Sequence, residues 1–182
     1  SPIVRGPDAS NYFADAWEVR TYINEALQET LPRDGIGLAI NSAASRSQDQ
    51  LHIHVSCIRA ETLEALHENE RRIGDQWAFL NVSFFGHRYM AMWVTGERLI
   101  PNNPFRLLAE RLPDATRDMG NRTVVVVGLT RSDGTKGFVI LEDRVNRETG
   151  DLAFGEELLD QACHIARKGN KVLGGLTERE IE

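Results

Sequence analysis

The sequence predicts an α+β fold with a largely antiparallel sheet, in one domain. Three observations lead there. Stretches of helical period are interspersed with strand-like runs. Short polar loops join those runs into pairs, as in an α+β arrangement. The 182 residues are 41% hydrophobic and 26% charged, which is an ordinary globular balance without repeats or low-complexity tracts.

The elements follow in order. Asp8-Ala9-Ser10-Asn11 offers helix N-cap residues. Behind it Phe13, Trp17, Val19, Tyr22, Ile23 and Leu27 predict a helix to about Thr30. Leu31 to Gly35 turns the chain. Gly37 to Asn41 reads as a buried strand and Ser42 to Asp49 as a loop. Leu51 to Ile58 alternates as a second strand, paired with the first like a hairpin. Arg59-Ala60-Glu61 opens a helix with Leu63, Leu66 and Ile73 on one face. Trp77 to Phe85 gives no clear pattern. His87 to Val94 predicts a strand, and Pro104 to Leu112 a short helix with proline at its first position. Thr123 to Leu129 is a core strand by its β-branched run. Ser132-Asp133-Gly134 turns it into a returning strand, Lys136 to Glu142. Phe154 to Lys168 predicts a last helix, carrying Cys163. Residues 1–10 are expected to be an N-terminal extension, 11–168 the single domain and 169–182 a flexible tail.

Composition excludes several functions. The net charge is −6 and no Lys/Arg block stands out, which argues against nucleic-acid binding. It also argues against adhesion to an anionic bilayer by charge alone. No apolar run approaches the ~20 residues of a membrane helix, and Ser1 to Pro7 lacks the apolar core of a signal peptide. There are two cysteines, Cys57 and Cys163. Two buried thiols and one long-loop disulfide stand level on composition.

The run Gln50-Leu51-His52-Ile53-His54-Val55-Ser56 carries the chemistry. On a strand Gln50, His52, His54 and Ser56 share one face, and Leu51, Ile53, Val55 and Cys57 point into the core. Three readings compete. The histidines could simply hydrogen-bond their neighbours on a polar face. His-x-His could supply two zinc ligands, with a third from His87 or His164. Or one imidazole could attack phosphorus while the other donates to a phosphate oxygen. The preceding loop favours the third. Asn41, Ser42, Ser45, Arg46, Ser47 and Gln48 bring hydroxyls, amides and one guanidinium, a good anion cradle.

These residues also resemble a known family. Leu38-Ala39-Ile40-Asn41-Ser42, Arg46-Ser47-Gln48 and His52-Ile53-His54-Val55-Ser56-Cys57-Ile58 resemble the bacterial CDP-diacylglycerol pyrophosphatases. That family is read here as a branch of the histidine-triad (HIT-like) superfamily. Asn11-Tyr12-Phe13 with Ala16-Trp17, Gly86-His87-Arg88-Tyr89, Pro104-Phe105 with Leu108-Ala109-Glu110 and Pro113, Met119-Gly120, and Cys163 near Gln161 extend the match in order from Asn11 to about Ile165.

The resemblance implies a HIT-like fold and hydrolysis of CDP-diacylglycerol to CMP and phosphatidate. It implies His52 as the nucleophile, forming a nucleotidyl-histidine, with His54 bonding the phosphate or orienting the site. Asn41, Ser47 and Gln48 would contact phosphate or leaving group, and Arg46 would neutralise developing charge. Gln50 stands where the family's first triad histidine belongs; it can hydrogen-bond but cannot titrate. Ser45 stands where a loop glycine is usual. His87, with Tyr89, reads either as a substrate contact or as a partly buried structural histidine. His67 and His164 read as surface residues. No metal or other cofactor is implied. The resemblance tilts Cys57 and Cys163 toward a disulfide and toward the periplasmic side of a bacterial inner membrane. It implies membrane contact through a segment absent from this chain and, by analogy, a homodimer. A soluble nucleotide substrate and a non-catalytic binding module remain the alternatives.

Overall fold

Four consecutive valines, Val124 to Val127, leave no polar face, so their strand belongs inside a sheet covered on both sides. The structure, a computed structural model, describes residues 10–28 and 30–166. In it β5 (Arg122–Thr130) is central, with all of its residues up to Leu129 buried. Its neighbours are β6 (Lys136–Arg144) and β1 (Ile36–Ile40). Among the described residues the sheet has seven strands, in the order β3-β4-β6-β5-β1-β2-β7. Here β2 is His54–Ile58, β3 Ala78–Phe79, β4 Met90–Thr95 and β7 Leu159–Asp160. All six strand pairings are antiparallel. The α+β expectation holds.

Each face of the sheet has its own core, set by the period of two. Leu38, Ile40, Val124, Val126 and Ile140 pack under Phe13 and Trp17 of α1 (Tyr12–Glu18) and under Phe105 and Leu108 of α4 (Pro104–Arg111). Ala39, Val125, Val127 and Leu141 pack on the other side with Leu66 of α3 (Ala60–Asn69) and with Leu158. The predicted α4 is found, capped by Asn103, whose Oδ1 accepts from the Phe105 amide at 3.1 Å. A short α5 (Ala115–Asp118) follows it.

The structure corrects four expectations. The first helix breaks after Glu18, and α2 (Thr21–Leu27) buries no residue. Beyond Trp17 the apolar residues leave the buried stripe: Val19 is 46% and Tyr22 66% exposed. Arg20 closes α1 by donating to the Trp17 carbonyl at 2.5 Å and lying over its ring. Second, the histidine strand begins at His54, because its ladder with β1 ends at Ala39↔His54. Alternation lapses before that point, and Leu51, expected in the core, is 47% exposed. Third, the strand anticipated from His87 begins at Met90. His87 instead closes a tight turn through Phe85 and Gly86, both at positive φ, with paired backbone bonds to Phe84.

Fourth, Phe154 to Cys163 is not helical. Gly155–Leu158 forms a single 3-10 turn, and β7 then adds to the outer edge of β2. Asp160 receives the Ala162 and His164 amides, which turns the chain again. Cys163 is disulfide-bonded to Cys57 across a separation of 106 residues. A closure of that span restricts the unfolded chain by about 4–5 kcal/mol on the loop-entropy model. Of the predicted boundaries, residues 1–9 and 167–182 lie outside the described residues, and with them most of the expected extension and the tail.

Candidate active site

At one end of the sheet, β1 runs out at Ile40 and the chain turns through Ser42 to Arg46. Ser42 is fully buried and holds this turn. Its Oγ donates to the Leu152 carbonyl at 2.6 Å and accepts from the Ala44 amide at 3.0 Å. The Ala43 amide donates to the Gly120 carbonyl at 2.7 Å. These bonds bring the loop, the histidine segment and the Met119–Gly120 turn around a cleft of about 160 Å³. Asn41, Arg46, Asp49, Gln50 and His52 line it, together with Phe105, Met119 and Arg122. Arg46 bonds Asp49 at 3.1 Å. Arg122, almost fully buried, is ion-paired with Glu142.

His52 and His54 adjoin, their ring centroids 4.8 Å apart. The Nδ1 of His52 lies 3.0 Å from the Gln50 carbonyl oxygen. A carbonyl only accepts, so a neutral His52 ring carries its proton on Nδ1 and a lone pair on Nε2. His54 Nδ1 lies 2.9 Å from Glu156 Oε1. The other oxygen of Glu156 accepts from Asn41 Nδ2 at 2.6 Å, and the Glu156 amide donates to Asn41 Oδ1 at 3.2 Å. His54 Nε2 is buried, and no hydrogen-bond partner reaches it among the described residues. Burial holds the His54 ring below the ordinary imidazole value, and His52 adds to this, against the opposing charge of Glu156.

Asn41, Arg46, Gln50, His52 and His54 are therefore together. Ser47 and Gln48 are exposed on the same loop and do not line the cleft. His87 and Tyr89 belong to a second centre. His87 Nδ1 and the Tyr89 hydroxyl each lie 2.8 Å from Glu157 Oε1. Tyr89 is fully buried, which, with the charge of Glu157, pushes its phenol well above the usual range. Beside His87 stand Asp143 and Asp151. Burial, with Asp151 close by, pushes the Asp143 carboxyl up to about 7. His164 is surface-exposed and bonds Asp160; His67 lies 3.6 Å from Asp34.

Sequence reasoning missed Glu156 and Glu157, which serve one centre each. They follow a close approach: Gly155 crosses Thr123 of β5 so closely that a Cβ there would run into the Thr123 hydroxyl and the Val125 side chain. The signal was the triplet Gly155-Glu156-Glu157 itself, a glycine followed by two acids.

Comparison with known families agrees with the resemblance. A family model described as CDP-diacylglycerol pyrophosphatase matches residues 1–167. It takes in every described strand, both histidine centres and both glutamates. The chain belongs to the CDP-diacylglycerol pyrophosphatase family, hydrolases that act on a pyrophosphate bond.

Proposed function

We propose that the chain hydrolyses CDP-diacylglycerol to CMP and phosphatidate through a nucleotidyl intermediate on His52. The observation that carries this reading is the bond between His52 Nδ1 and the Gln50 carbonyl. It leaves Nε2 as a nucleophile without any need for a titrating residue at position 50. In the first step Nε2 attacks the cytidylyl phosphorus. An N–P bond forms, the bridging P–O bond breaks, and phosphatidate leaves with the electron pair. In the second step water attacks the same phosphorus, CMP leaves, and His52 regains its lone pair. Burial disfavours charge on His54, and its Nε2, which has no hydrogen-bond partner among the described residues, would take the proton of that water. Asn41 and Arg46, which line the cleft, would be the phosphate contacts. Protein donors then share the work of spreading transition-state charge.

The disulfide supports an oxidising, periplasmic setting beside the inner membrane that would hold the lipid. No described helix is long and apolar enough to cross a membrane. The decisive test is trapping. CDP-diacylglycerol labelled in the cytidylyl phosphate should leave acid-labile label on His52. His52→Ala should abolish labelling and lower kcat by on the order of 10³-fold or more. Label on another residue, or normal turnover by His52→Ala, would overturn the mechanism. Parallel assays with CDP-alcohols separate the lipid substrate from soluble nucleotides.

A further inference from the structure

We propose that His87, Asp143 and Asp151 form a divalent-cation site, separate from the His52–His54 centre. Three distant parts of the chain supply it. His87 closes the Phe85–Gly86 turn, Asp143 sits near the end of β6, and Asp151 ends the small hairpin that begins at Asn146. One ligand atom from each lies within 4.8 Å of the others. Ligands at about 2.0–2.2 Å from a metal are up to about 4.4 Å apart, so only a small contraction is required.

Two observations point to a cation beyond the grouping of acids. The first concerns Asp143, which is only 7% exposed. Its Oδ1 accepts from the Arg144 amide at 2.7 Å, but no donor reaches its buried Oδ2 among the described residues. Asp151, 8% exposed, stands beside it. Two buried carboxylates this close need a positive species beside them: a shared proton, a protonated His87 or a metal ion.

The second observation is the support behind His87. The Nδ1 of His87 is held by Glu157, whose same oxygen is fixed by the Tyr89 hydroxyl. A neutral His87 then presents its lone pair at Nε2, 3.9 Å from Asp151 Oδ1. A carboxylate bonded to the far nitrogen of an imidazole is the usual support of a metal-bound histidine. One imidazole and two carboxylates suit Mn²⁺ or Zn²⁺ better than Ca²⁺. The three ligands lie on the wall of a cleft of about 990 Å³, also lined by Arg88, Arg144 and Arg147. Remaining coordination positions therefore open toward solvent beside positive charge, where a phosphate oxygen fits.

Titration of the full chain with Mn²⁺ alone, followed by the EPR signal of the free ion, tests this without substrate. One bound Mn²⁺ per chain is expected, with a rise in Tm on binding. Asp143→Asn and His87→Gln should each weaken binding at least about tenfold. No binding by the wild-type chain would overturn the site. So would unchanged affinity in both variants, which would leave a shared proton between the carboxylates. Because two variants are read, loss of folding in one leaves the other to decide.

Discussion

Glu156 and Glu157 are neighbours in the chain, yet they build two unlike histidine centres. Glu156 divides its oxygens between His54 and Asn41, both on the histidine side of the sheet. Glu157 gathers His87 and Tyr89 on one oxygen, at the β4–β6 side. In the first centre the imidazoles adjoin each other, and burial disfavours charge on His54. In the second, a histidine faces two more carboxylates. The first holds one carboxylate, Glu156, already bonded by His54 and Asn41, and so less negative charge than the second. The second has an excess of it and suits a cation. One turn, laid over β5 at Gly155, serves both.

A change at that shared support reaches both centres at once. Gly155→Ala places a methyl against the Thr123 hydroxyl and the Val125 side chain, with the Ile40 carbonyl 3.3 Å away. The turn must lift off the sheet, at about 1–3 kcal/mol of stability. Both glutamates move with it, so turnover and Mn²⁺ affinity should fall together in a variant that still folds. Denaturant unfolding, a turnover assay and an Mn²⁺ titration on one preparation read all three. Loss at one centre alone would mean that the two glutamates are held independently.

The two regions also differ in how far the sequence disclosed them. Local signals sufficed for β5, whose valines admit no solvent face, and for α4, where Asn103 and Pro104 mark the start. The histidine pair was visible through its spacing. The role of position 50 was not, because the group that holds His52 is the backbone carbonyl of Gln50, which every residue type offers. The second centre was hidden for another reason. Nothing local in a glycine followed by two acids opposes the helix expected after Phe154, since acidic residues are favoured in a first turn. What overrides that preference is non-local: the edge of β2 that pairs β7, and the bond between Cys163 and Cys57. Asp143 lies one residue past the strand expected from Lys136 to Glu142, and no local pattern marks it.

Single substitutions of the two glutamates sharpen the contrast at a smaller scale. Glu156→Gln keeps the shape but leaves one carboxamide oxygen where two oxygens now accept, so His54 or Asn41 loses its bond. A loss in kcat of about 10–100-fold is expected, with little change in Mn²⁺ affinity, by analogy with other groups that orient a ligand or base. Glu157→Gln should instead weaken Mn²⁺ binding by a similar factor. Measuring both quantities for both variants gives a crossed pattern if the centres are separate. Equal losses everywhere would show that the turn responds as one unit.

The smallest effect is the most specific to the first centre. Burial lowers the pKa of His54, His52 lowers it further, and Glu156 raises it. The folded ring therefore takes up its proton below the ordinary value of about 6.5, after the unfolded chain has taken up its own. The stability tied to the neutral ring is complete above about pH 6.5 and is lost as the pH falls through the folded value. An NMR titration of the His54 ring should find its midpoint on the acid side of an ordinary histidine. In Glu156→Gln the opposing charge is gone, so the midpoint should move lower still. A midpoint above the ordinary value would mean that Glu156 outweighs burial. His54 would then hold its proton more firmly than a free imidazole, which suits it to donate to a phosphate oxygen rather than to accept a proton from water.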